Sequence, residues 1–100
     1  MNPRLFLDVD PRELHLPPTR WTGADPVKLH RQMARYRVST TGMPEILVDR
    51  GTDGQLVIGD GVTRATRVAK LLPGQLVRVE VCEDLPYPVG HFPRVGDRLP

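Results

Sequence analysis

The chain has 100 residues, 39% of them hydrophobic, which supplies a modest core for one domain and leaves no room for a second. Its formal charge of +2 admits a phosphate-bearing ligand but falls short of the dense basic tracts of dedicated nucleic-acid binders, and 5% aromatic content argues against a base-stacking platform. The single cysteine, Cys82, excludes an internal disulfide framework, and with no apolar leader after Met1 and no stretch of membrane length, a cytoplasmic protein without membrane association is expected.

In chain order, Arg12 to Leu16 alternates Leu14 and Leu16 with Glu13 and His15, a short strand pattern stopped by Pro17-Pro18. A loop through Thr19, Arg20, Trp21 and Gly23 leads to Asp25-Pro26, an N-cap followed by proline at the first helical position. Leu29, Met33 and Tyr36 then recur at helical spacing, with Lys28, Arg31 and Arg35 facing away, so a helix is predicted to about Tyr36. Ile46 to Val48 and Gln55 to Ile58 are β-rich runs around an Asp53-Gly54 hairpin signal. The second run enters Gly59-Asp60-Gly61, after which Val62, Ala65, Val68, Ala69 and Leu72 form an apolar helical stripe ended by Pro73-Gly74. Leu76 to Cys82 resumes a strand pattern with Val77, Val79 and Val81 on one face; strand, helix and strand predict a right-handed crossover unit. Residues 86–100 hold four prolines among Tyr87, His91 and Phe92 and show no period, so they read as an extended tail after a domain of residues 1–85, packing on that domain or on a partner.

The chemistry-bearing segment is Gly59 to Arg64. Glycines let the backbone turn sharply after a strand, leaving the first N–H groups of the next helix unpaired and outward, a place that attracts anions. Thr63 adds a hydroxyl donor, Arg64 and Arg67 sit one turn apart and are both expected to reach a bound phosphate, and Asp60 is expected as N-cap or metal-facing carboxylate. A helix N-terminus contributes about 0.3 to 2 kcal/mol toward an anion, against about 4 kcal/mol for even a millimolar ligand. Arg64, Arg67, Thr63 and Arg20 therefore have to supply the difference.

With Gly59, Asp60, Arg64 and Ala65 in place after a strand, the chain resembles the ParB/sulfiredoxin superfamily, whose members carry Gly-Glu-Arg-Arg-x-Arg-Ala or Asp-Gly-His-His-Arg motifs there. The resemblance runs from about Leu14 to Leu85, in the order of elements as well as the motif. It implies an α+β fold, a small mixed sheet with two or three helices. It also implies a nucleotide-phosphate cradle at Gly59, Asp60, Gly61, Val62, Thr63, Arg64, Arg67 and Arg20, with CTP or ATP and magnesium as the expected ligands. Sulfiredoxin's cysteine falls at Val62, which excludes that repair chemistry. The paired arginines of ParB fall at Gly61 and Val62, the paired histidines of the serine kinases at Val62 and Thr63. No helix-turn-helix segment follows, so sequence-specific DNA binding is not expected.

Two other readings stand beside a stand-alone nucleotide or phosphate binder. One is a non-catalytic interaction module on the same fold, engaging a protein partner or a second copy. The other is weak phosphotransfer or nuclease activity with Asp60 and Glu45 as the catalytic carboxylates holding magnesium. His15, His30 and His91 have no metal-ligand spacing and read as surface or loop residues, so no metal site is expected. Cys82 reads as a half-buried strand residue, and Trp21 as a loop residue folded over the core edge.

Overall fold

A computed structural model describes residues 3–100. Four strands, β1 (Leu5–Val9), β2 (Ile46–Arg50), β3 (Leu56–Asp60) and β4 (Val77–Asp84), form one mixed sheet in the order β1-β4-β2-β3, accompanied by helices α1 (Pro26–Tyr36) and α2 (Val62–Leu71). This is a small mixed α+β fold. None of its helices is long and apolar enough to cross a membrane.

The sheet is built on the valine strand. Val77 and Val79 of β4 are buried and Val81 is half-buried, and on the same face β1 sets Val9, Leu7 and Leu5 opposite them in antiparallel register. β4's other neighbour is β2, in parallel register, and β2 is antiparallel to β3. Strand, helix and strand over residues 56–84 therefore do not make a crossover between adjacent parallel strands: β2 lies between β3 and β4. The hairpin at 51–55 reverses the chain, so the parallel partner of β4 is the earlier hairpin arm.

The expected strand over Arg12 to Leu16 is a 3-10 turn at Pro11–Glu13, capped by the Asp10 side chain, followed by extended Leu14 and one isolated bridging residue, His15. His15 exchanges main-chain bonds with β3, its N–H donating to Leu56 O at 2.9 Å and its carbonyl accepting from Ile58 N at 2.9 Å. On its other side it bridges Arg94, whose neighbours Pro93 and Val95 bond to Leu16 and Leu14. His15 is buried, not at the surface, because its backbone completes the sheet between β3 and residues 93–95 while its ring Nδ1 meets the Phe92 carbonyl at 2.7 Å.

α2 packs Ala65, Val68 and Ala69 into a core with Leu14, Leu16, Ile46, Val48, Ile58, Val77, Val79 and Val95. Residues 86–100 contribute Val89 and Val95, both fully buried, and a 3-10 turn at Val95–Arg98. Polar contacts hold this segment in place: Asp53 accepts from Gly90 N at 2.8 Å, Arg94 pairs with Glu13 at 2.6 Å, and Arg98 Nε donates to the Trp21 carbonyl at 2.9 Å. Trp21 is itself nearly half exposed and packs its ring 5.7 Å from Phe92.

Candidate functional site

α1 and α2 begin at the same cleft but end their free amides differently. At α1 the Asp25 carboxylate accepts from Val27 N at 2.9 Å and Lys28 N at 3.1 Å, which satisfies the exposed donors of its first turn. At α2 the N-cap is Gly61, and no side chain caps it. The donors of Val62, Thr63 and Arg64 are the outward-facing set that a helix start leaves free.

Local sequence explains how the chain reaches this start. Val48 faces Ile58 while Leu47 faces Asp60, so Gly59 is an extra residue in β3 and the ladder bulges beside the site. Gly61 then adopts φ 114°, where a side chain is strained, and a Cβ there would fall 2.9 Å from Arg64 Nη2 and 3.2 Å from Ile46 Cγ1. Asp60 is the last residue of β3 and not the helix cap: Gly61 occupies the cap position, and the Asp60 carboxylate meets Arg64 instead of an α2 amide.

The resulting cleft holds about 410 Å³ and is lined by Gly59 through Arg64, by Thr19 and Arg20 from a 3-10 turn at Pro18–Arg20 in place of the expected loop, by the α1 cap Asp25, and by Lys28 and Gln32 of α1. The structure thus brings together seven of the eight residues singled out for a cradle. It adds Lys28 and Gln32, which sit four apart on one face of α1. Lys28, read from sequence as facing away, lines the cleft; the i, i+4 pairing of a cation with an amide was the available signal.

Charge at the mouth is arranged loosely. Arg64 reaches Asp60 at 3.4 Å and the Glu45 carbonyl at 3.3 Å, both long for charge-assisted bonds, and its buried Nε has no partner. A guanidinium is thereby placed over the positive end of its own helix, an arrangement that by itself is repulsive and that an anion would relieve. Of the two carboxylates, Asp25 is engaged by α1 and held below the ordinary carboxylate range by the N–H groups of Lys28 and Val27. Arg20, Lys28 and Arg64 supply the positive charge.

Arg67 does not join them. It is 1% exposed, and its Nη1 donates to the carbonyls of Arg37 at 2.8 Å and Ser39 at 2.9 Å, so its guanidinium points under the 37–43 loop and not to the helix start. A spacing of three puts Arg67 on the same side of α2 as Arg64, but the loop's carbonyls draw it inward.

Asp60 and Glu45 are likewise kept apart. Asp60 lines the cleft, whereas the Glu45 side chain belongs to a different pocket with Thr40, Leu76 and Arg78. No group of three or more histidine, cysteine or acidic side chains placed to hold a metal occurs among the described residues.

Cys82 is exposed and not half-buried. It is the extra residue in the β2–β4 ladder, where Val48 pairs with Val81 and Asp49 with Glu83. Local desolvation and the charges of Glu80, Asp49 and Glu83 push its thiol pKa up, the opposite of an activated nucleophile.

No family model, curated protein or solved structure matches the chain.

Proposed function

We propose that the chain binds a nucleotide or another phosphate-bearing anion in the cleft at the start of α2. The observation that carries this reading is the contrast between the two helices meeting there: α1 is sealed by Asp25, while α2 presents uncapped amides beneath three cations. Phosphate oxygens would accept from Val62, Thr63 and Arg64 amides and from the Thr63 hydroxyl, as helix N-termini commonly allow. Arg64, Arg20 and Lys28 add the charge-assisted contacts that the helix start alone cannot supply.

The resemblance to the ParB/sulfiredoxin superfamily belongs to this proposal and supports CTP or ATP, with or without magnesium, as the first ligands to try. Asp60, exposed at the same mouth and not committed to a helix cap as Asp25 is, would be the carboxylate to hold a magnesium ion accompanying the phosphates. Isothermal titration with CTP, ATP, their magnesium complexes and pyrophosphate tests the reading. Saturable binding that weakens as salt is raised is expected. Flat traces with every one of these at millimolar concentration remove it.

A further inference from the structure

Beyond Arg64 a second pocket of about 200 Å³ opens between the end of α1, the 39–44 loop and α2. Its volume corresponds to roughly six or seven water molecules. Gln32 and Arg64 line both cavities, so the two adjoin. The inner one is lined by Arg64, Arg67, Tyr36, Ser39, Thr41 and Met43, with the Arg67 guanidinium buried behind the Met43 thioether, and no carboxylate lines it.

Arg67 is the unusual member. A fully buried cation normally meets a carboxylate, since burial without a counter-charge is costly. Here the partners are two carbonyl oxygens and the Met43 thioether, 3.4 Å from Nη2, while Nε has no partner. Burial accordingly lowers the pKa of this guanidinium. A thioether is a weak acceptor on a flexible chain, readily displaced by an oxyanion. The backbone is also committed to this arrangement. Arg37, whose carbonyl receives Arg67, is the one non-glycine among the described residues with positive φ, at 50°. Its strain is held in place by the tertiary contact.

A purely structural strut would account for Nη1, which ties the loop to α2. The Tyr36 ring, 5.4 Å from the Arg67 guanidinium carbon, offsets part of its burial, but two neighbouring guanidiniums still line a cavity without a carboxylate, one with its Nη2 hydrogen-bonded only to a thioether. We propose that this inner pocket is a separate oxyanion subsite, taking a carboxylate or monophosphate group carried on a compact apolar body. The fork of Arg67 Nη2 and the Arg64 guanidinium would hold the oxygens, and Tyr36, Met43 and Pro44 would cover the body. The subsite goes beyond the phosphate cleft at α2 and does not depend on it.

The test follows amide and arginine Nε–H resonances of the full ¹⁵N-labelled chain during titration at constant ionic strength. Three probes are used: butyrate, ethyl phosphate and the neutral isostere butyramide; pyrophosphate is added in a separate arm to report the outer cleft. Saturable shifts at Thr40 to Met43 amides and Arg67 Nε–H with butyrate or ethyl phosphate, absent with butyramide, are expected, and whichever anion acts identifies the head group. Thr41→Phe, at an exposed position on the rim, is expected to occupy the pocket and to abolish those shifts. The proposal is overturned if neither anion moves the inner resonances, if butyramide moves them equally, or if Thr41→Phe leaves them intact. Pyrophosphate shifts at Val62, Thr63 and Arg64 together with inner resonances silent to both butyrate and ethyl phosphate would sink the subsite and leave the cleft reading standing. Inner shifts with silent outer amides would do the reverse.

Discussion

The guanidinium of Arg64 folds back over Gly61, so closely that the glycine cannot carry a side chain without moving it. Sheet bulge, left-handed turn and cation are therefore one unit, and a change at the glycine is felt at the arginine. Gly61→Ala is expected to lower stability by about 1 to 3 kcal/mol through strained φ, and to weaken pyrophosphate binding by displacing Arg64. Gly42→Ala is the control. Its φ is also positive, at 70°, but nothing lies within 4 Å of the added carbon, so only about 1 kcal/mol of backbone strain is expected and pyrophosphate binding should be unchanged. Urea titration beside calorimetry separates the two effects.

Arg64 and Arg67 should dissociate in the laboratory as they do in space. Arg64→Gln removes a loosely paired cation and is expected to weaken pyrophosphate binding about 10- to 100-fold, since one charge-assisted contact is worth about 1.5 to 3 kcal/mol. Its effect on thermal stability should be small, the pair with Asp60 being long and partly exposed. Arg67→Leu strips two part-buried carbonyls of their charged donor and is expected to cost about 1 to 3 kcal/mol of stability. Equal loss of stability in both variants would contradict these assignments.

Acid should loosen the fold through specific carboxylates. Main-chain N–H groups of Lys28 and Val27 hold Asp25 below its ordinary range. At Asp53 partial burial pushes upward, but the N–H groups of Gly90, Gln55 and Val89 outweigh it and the net shift is downward. Asp84 is lowered by Arg50. A depressed folded pKa means stability that is present above the unfolded value, near 4, and is lost as pH falls through the lower folded value. Asp49 runs the other way, raised first by burial and then by Glu83, so its ionised form opposes folding. Asp49→Asn is therefore expected to raise the melting temperature at pH 7 and to have no effect once both states are protonated. Melting curves from pH 7 down to about pH 2 check the sign of each.

Cys82 is exposed, yet its thiol is expected to alkylate slowly with iodoacetamide at neutral pH. Desolvation disfavours the thiolate, and the negative charges of Glu80, Asp49 and Glu83 add to it. Faster reaction than a free cysteine in a short peptide at the same pH would contradict the electrostatics described for that face.

Much of the architecture was readable from residue order. Asp25-Pro26 announces α1 because a capping carboxylate and a proline act locally, and the Asp53-Gly54 turn announces the β2–β3 hairpin for the same reason. Gly59 to Arg64 pointed to the cleft because a strand-to-helix turn is also a local device. What could not be read depends on distant partners. Arg67 looked like a twin of Arg64, and only the carbonyls of Arg37 and Ser39, thirty and twenty-eight positions away, turn it inward. His15 looked like a surface residue because nothing nearby in sequence says that Arg94 and Val57 will flank it. β1 was missed although Leu5, Leu7 and Val9 alternate with Phe6 and Asp8; that period of two was available, and its partner β4 lies more than seventy residues on. The inner pocket had no sequence signature, since it exists only where α1, the 39–44 loop and α2 converge.

Val95 fills the space between Leu14 and the α2 face, and its N–H closes onto the Leu14 carbonyl at 2.9 Å. On a ribosome, then, everything from Leu5 to Asp84 can be synthesised and still lack a finished interior. Contacts of such long span are slow to form, and a growing chain carries Leu14, Leu16 and Val57 uncovered until residues 93–95 have left the exit tunnel. Nascent-chain occupancy by folding helpers should thus persist after Asp84 has emerged and drop once residues 93–95 follow.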